Sequence, residues 1–273
     1  MFTEASSPNP DGRAPLITRD ILGRAWPLFK ACLPVCLPLA VIGVAAGATP
    51  GAESAMSNEG HGHAHGREWW TLLFVSTLLT LICYGAVLRQ QLALAQGGRE
   101  LVLDSMRRAV ADLPFVLPLL VLLALPLAPA MVATALRGFD LFAALLTLAG
   151  LALLVHAFIA WPVLVAGRLP PFTALASSIR AVRGRWRQFA SLALMLLSTI
   201  LVFVLLAGIL IGVVMGLAGQ ATPTAGGLAL SRWLMALILA VPVVYAGAVT
   251  VTTWRVVTAA PASSGDAGPP PAA

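Results

Sequence analysis

Residues 189–231 read FASLALMLLSTILVFVLLAGILIGVVMGLAGQATPTAGGLALS, a stretch without a single Asp, Glu, Lys or Arg. Its first part, 189–217, exceeds the roughly 20 apolar residues a helix needs to cross the hydrocarbon of a bilayer. The later part, Gly219–Gly227, reads as a loop because Gly, Pro and Thr cluster there. Working outward with the same criterion, uncharged runs at 31–48, 69–88, 113–136, 141–167 and 233–254 complete a set of about six spans.

Of the 273 residues, 59% are hydrophobic and only 10% are charged. A soluble domain carries about 25% charge because water must be met by a polar surface, so a soluble globular fold is set aside, and domain counting by length with it. The expected fold is all-α: a polytopic membrane helical bundle over 16–258, between disordered segments at 1–15 and 259–273, the latter ending SSGDAGPPPAA. The first twenty residues are polar and rich in Pro and Ser, without the apolar core of a secretory signal, so the first helix is expected to direct insertion. Cys32, Cys36 and Cys83 fall inside apolar runs, which points to packing residues rather than a disulfide framework.

Orientation follows from the basic residues, because translocating a basic loop is disfavoured. With six spans, one side receives Arg13, Arg19, Arg24, Lys30, Arg89, Arg99, Arg107, Arg108, Arg168, Arg180, Arg183, Arg185, Arg187 and Arg255, while the other receives Arg67, Arg137 and Arg232. Both termini are therefore expected in the cytoplasm. Trp26, Trp186 and Trp254 then fall at the inner interface and Trp69, Trp70 and Trp233 at the outer one, whereas Trp161 lies inside a span.

A basic, partly amphipathic segment precedes each odd-numbered span: ITRDILGRAWPLF, ELVLDSMRRAVADLP and FTALASSIRAVRGRWRQF. Aligning Arg24-Ala25, Arg108-Ala109 and Arg180-Ala181 gives three helix-hairpin units beginning near 16, 101 and 172, although any basic loop before a span has a similar composition. In the third segment, Phe172, Leu175, Ile179, Val182, Trp186 and Phe189 recur at steps of three and four, the spacing of one helix face, with Arg180, Arg183 and Arg187 on another. Two readings stand: a helix in the inner interface with its arginines toward lipid phosphates, or a cytoplasmic extension of the next span.

Few residues carry the chemistry of a site. His61, His63 and His65 alternate with small residues between the first two spans, so an extended backbone can aim three imidazoles at one zinc, copper or nickel ion; the same glycine-rich loop also reads as solvated chain. His156 is the one ionisable group deep in a span, expected as a neutral imidazole bonded to a neighbouring helix. Gly208, Gly212 and Gly216 recur every four residues, which lets a partner helix approach, within the chain or in a second copy. No Walker A loop, HExxH motif, G-x-S-x-G elbow or intramembrane carboxylate pair is present, so a non-enzymatic protein without a cofactor is expected.

The stretch ASSIRAVRGRWRQFASLALMLL, 176–197, resembles a pattern in uncharacterised bacterial inner-membrane families and in the membrane domain attached to some glycerophosphodiester phosphodiesterases. That resemblance implies a multi-span bundle with interfacial helices in a bacterial inner membrane, and it brings no catalytic residues. The expected function is an organiser or accessory protein whose Arg180, Arg183, Arg185 and Arg187 bind anionic lipid or a protein partner. Its expected partners are membrane lipids and a second protein or second copy, not nucleic acid. The alternatives are a transporter or channel lined by Ser76, Thr77, Thr80, His156, Ser198 and Thr199, and a metal-handling protein using the histidine loop.

Overall fold

A computed structural model describes residues 18–57, 67–124, 145, 148, 150, 152–153, 155–183, 185–217 and 225–259. Its regular elements are all helical: α1 (Thr18–Ser57), α2 (Arg67–Ala95), α3 (Val102–Ala124), α4 (Ala160–Gly167), α5 (Pro171–Val182), α6 (Trp186–Leu217) and α7 (Ala225–Thr258). Four of these contain segments long and apolar enough to cross a membrane: Thr18–Ala48, Trp69–Ala95, Trp186–Val214 and Ala229–Thr258. Among the described residues the fold is thus all-helical, and the length and composition of these four helices mark a membrane protein.

Two expected spans look different. The described part of the third, 113–124, continues without a break from the basic segment before it, with Pro114 and Pro118 inside one helix; residues 125–136 lie outside the described residues. The fourth, expected over 141–167, is interrupted. The chain turns at 157–159, held by Phe158 N–H to Val155 O at 3.3 Å and Ala160 N–H to Ala157 O at 2.8 Å. Pro162 accounts for the turn, since it has no N–H to give the carbonyl of Phe158 and its ring collides with that carbonyl in a continuous helix. The eight residues of α4 that follow cover only about 12 Å. The first basic segment is likewise the opening of α1 rather than a separate helix. Only the third stands apart, as α5, whereas the three helices containing these segments start at Thr18, Val102 and Pro171. Apart from Ala259, the terminal segments 1–15 and 259–273 fall outside the described residues.

All seven helices meet at one end. A single apolar cluster joins Ile21 and Ala25 of α1, Leu88 and Leu92 of α2, and Val116 and Leu119 of α3 to Leu164 of α4, Ala174 and Val182 of α5, Phe189 and Leu192 of α6, and Val249 and Val251 of α7. A second cluster lies between α1, α2, α3 and α7 and contains Cys32, Cys36, Val87, Ala109 and Val244. All three cysteines are fully buried, as core residues.

Close helix approach depends on small residues, but not on the expected ones. A Cβ added to Gly43 would stand 3.0 Å from Cys83 Cβ, and one on Gly85 would stand 3.1 Å from Ala109 Cβ. Thr80 lies between Gly43 and Gly47 and donates its hydroxyl to Gly43 O at 2.9 Å, so α1 and α2 touch through a small-residue seam with a hydrogen bond across it. At Gly208, Gly212 and Gly216, by contrast, an added Cβ meets no described atom within 4 Å. Helix α6 turns its Phe189, Leu192, Leu196 and Ala207 inward, and only 11% of its most apolar window is buried, against 50% for α7.

Substituting alanine for glycine should separate the two environments. At Gly247 the new Cβ would come within 2.5 Å of Gln91 Oε1, so Gly247→Ala should cost about 1–3 kcal/mol by overpacking. Gly208→Ala should be neutral or gain up to about 1 kcal/mol from helix propensity. Melting temperatures in a mild detergent check both signs.

Candidate functional site

Near its C-terminal end, the apolar run of α2 gives way to three consecutive polar residues, Arg89-Gln90-Gln91, all buried. Successive residues on a helix point about 100° apart, so the three side chains reach different neighbours. Arg89 donates through Nε at 2.9 Å and Nη2 at 2.5 Å to Asp112 Oδ2 on α3. The Nε2 of Gln90 donates to Glu100 O at 2.9 Å and to Ser105 Oγ at 2.5 Å. Gln91 donates through Nε2 to Val244 O on α7 at 2.8 Å and contacts Cys32 Sγ on α1 at 3.7 Å. Its Oε1, which meets no N–H or O–H donor among the described residues, lies against Gly247, where no Cβ stands in the way.

The turn from α2 into α3 is built as firmly. Gly97 takes the left-handed φ of 82° that closes a Schellman cap, with Gly98 N–H on Ala93 O at 2.9 Å and Gly97 N–H on Leu94 O at 3.0 Å. Glu100 then pairs with Arg108 at 3.0 Å. Along α3, Ser105, Ala109, Asp112, Val116 and Leu119 form the buried face.

At the end of α4, Arg168 adopts a left-handed φ of 47°, and the following Pro170 and Pro171 open α5. The buried face of α5 is made of Ala174, Ser178 and Val182, with Ser178 Oγ donating to His156 O at 2.7 Å. This differs from the large-residue face read from the sequence. Phe172 is 69% and Trp186 54% exposed, Leu175 and Ile179 are half-buried, and only Val182 and Phe189 of that set are buried. Small residues win because α5 lies close against α3 and the α4 segment, where bulk would not fit. The helix also ends at Val182, so a face cannot continue unbroken into α6. His156 bonds Ala152 O of its own helical turn at 2.7 Å rather than a neighbouring helix.

The break between α5 and α6 leaves Arg180, Arg183 and Arg187 exposed and Arg185 half-buried, with the Arg187 guanidinium 5.8 Å from the Trp186 ring centre. Arg19, Arg24, Lys30, Arg99, Arg107, Arg108, Arg168 and Arg255 are also exposed, all in the parts of the helices that converge at this end. Exposed acids there are Asp20 and Asp104. Lys30 Nζ sits 5.1 Å over the Trp26 ring, a contact open to a cation whose stem lies along an aromatic face.

Other sequence candidates are not drawn together. Ser76 and Thr77 donate to Leu73 O at 3.0 and 2.7 Å, and Thr199 to Met195 O at 2.8 Å, so these hydroxyls are satisfied within their own helices. Helices α2 and α6 share no extended contact. His61, His63 and His65 lie outside the described residues, and among the described residues no three His, Cys, Asp or Glu side chains converge on a metal-sized site.

The sequence reading overlooked Gln90, Gln91, Ser105 and Asp112 and treated Arg89 only as a topology charge. A signal was present in the steps of four, three, four and three that place Ser105, Ala109, Asp112, Val116 and Leu119 on one face, putting a carboxylate among core positions. The helices and this end define an integral membrane protein with one polar, cation-rich pole. No known protein family, curated protein or solved structure matches the chain.

Removing one partner of a buried ion pair leaves the other charge uncompensated, so Asp112→Ala should cost about 3–5 kcal/mol. The double substitution Arg89→Met with Asp112→Leu should recover most of that loss. Thermal unfolding of detergent-extracted protein checks both; an unchanged melt for Asp112→Ala would contradict the buried pair.

Proposed function

We propose that this chain is a non-enzymatic organiser of a bacterial inner membrane, with about six spans, both termini cytoplasmic and its basic pole binding anionic lipid headgroups. The additional spans would run through 113–136 and 141–167. The observation that carries the reading is the exposed arginine set at the α5–α6 break, Arg180, Arg183 and Arg187, with Arg185 half-buried beside it. A helix break in a chain of membrane-crossing length exposes cations where lipid phosphates would lie, and each cation near an anionic surface contributes about 1 kcal/mol. The only cation with a described side chain at the opposite pole is Arg232, placed 5.9 Å from the Trp233 ring centre. That imbalance agrees with a cytoplasmic basic pole.

A transport reading has less support, because three of its proposed lining hydroxyls, those of Ser76, Thr77 and Thr199, are occupied within their own helices, and that of Thr80 is taken up in the α1–α2 seam. No cofactor enters the proposal, and a protein partner on the same arginines is the competing occupant.

Neutralising Arg180, Arg183 and Arg187 together to Gln should weaken anionic-lipid association roughly a hundredfold, from about 1 kcal/mol per charge. Insertion into membranes should be unaffected. Native mass spectrometry of gently extracted protein, with salt titration of lipid retention, reads the change; retention equal to the parent protein at every salt concentration would remove the basis of the proposal.

A further inference from the structure

At the corner between α2 and α3, two leucines stand almost free of the protein. Leu101 is 74% and Leu103 76% exposed, the highest exposures among the large apolar residues described. Water disfavours such a display unless something apolar receives it. Nor is the corner loose. The Schellman cap at Gly97 fixes its start, Gln90 holds Glu100 O from within the core, and Arg108 pairs with Glu100. Ser105 Oγ, held by Gln90, also donates to Leu101 O at 3.0 Å.

The level of the corner follows from its bonds. Ser105 lies beside Gln90, and Ala109 lies against Gly85, so α3 runs back along α2. Leu101 and Leu103 therefore sit level with the last turns of α2, inside the apolar segment Trp69–Ala95 that is long enough to cross a membrane. Exposed Arg99 and Arg107 flank the two leucines on either side. Leucines rimmed by guanidinium groups complement a phospholipid surface, which offers acyl chain to the first and phosphate to the second.

We propose that the α2–α3 corner is a fixed membrane wedge, in which Leu101 and Leu103 enter the acyl boundary of the leaflet while Arg99 and Arg107 engage its phosphates. It rests on the reading of the basic pole as lipid-facing, but not on lipid binding by the Arg180–Arg187 set, which lies at a different helix break. A docked protein is the occupant the test must separate from lipid.

The test uses the full chain with Leu103→Cys carrying an NBD fluorophore, reconstituted in nanodiscs of phosphatidylcholine and phosphatidylglycerol with brominated acyl chains. The native thiols are fully buried and serve as the unlabelled control. Gln96→Cys, on the exposed polar part of the same turn, is the reference position. The expected result is bromolipid quenching at least twofold stronger at position 103 than at 96, with iodide quenching ordered the other way. Leu101→Cys should repeat it if the first variant folds poorly. Label at both leucine positions that is open to iodide and untouched by bromolipid would place the wedge in water and overturn the proposal. Because no arginine of the α5–α6 break is altered, that outcome is distinct from loss of lipid retention there.

Discussion

Burial of three adjacent polar side chains on α2 is the constraint around which the other helices are arranged. Arg89, Gln90 and Gln91 leave a helix whose preceding turns are apolar, and each would cost about 1–3 kcal/mol or more if buried without a partner. Their partners come from separate elements: Asp112 and Ser105 of α3, the carbonyl of Glu100 in the turn, Val244 of α7 and the sulfur of Cys32 on α1. A shift of one residue in any of these neighbours would rotate its partner group by about 100° and break the arrangement. Apolar packing alone would tolerate such slips, since one leucine on a lipid-facing helix is much like another. The polar layer thus supplies register, while the leucine, valine and phenylalanine cluster around it supplies area.

From that layer follows the difference between the two poles. Where the seven helices converge, the buried charges are paired and the exposed ones are almost all cations. Away from it the bundle is held more by small-residue seams, such as Gly43 against Cys83 and Thr80. Helix α6 packs along α7, is tied near its start through Phe189 against Phe158 at 6.1 Å and Thr18 to Ser191 at 3.2 Å, and leaves much of its later length exposed. Such a distribution gives a rigid basic pole and a more loosely covered apolar body.

Much of the architecture was legible from composition and charge. Long uncharged runs gave four helices of membrane-crossing length in their expected places, because the thickness of a bilayer sets a length that can be counted. The core cysteines were also readable, since a thiol in an apolar run is usually packed. The turn at 157–159 was harder to foresee, because hydropathy ignores the hydrogen bond that Pro162 cannot make. The buried face of α5 was misplaced for a related reason. Periodicity finds large apolar residues, whereas close contact with neighbouring helices selected Ala174 and Ser178. Likewise the regular spacing in α6 singles out glycines that meet no neighbour, while Gly43, Gly47, Gly85 and Gly247 are glycines that another helix approaches within van der Waals range. Nothing in a single charged residue near a span boundary distinguishes a topology signal such as Arg107 from a buried partner such as Arg89; only the spacing of Asp112 within the core face of α3 does so.

The central claim is that the pole organised by Arg89, Gln90 and Gln91 is the cytoplasmic one. A membrane-impermeant maleimide applied to cells making Gln96→Cys or Leu230→Cys tests it directly, with the buried native thiols as background. The account predicts that Leu230→Cys is labelled in intact cells whose outer barrier has been opened, and that Gln96→Cys is labelled only after the inner membrane is permeabilised. Labelling of Gln96→Cys before permeabilisation would contradict it.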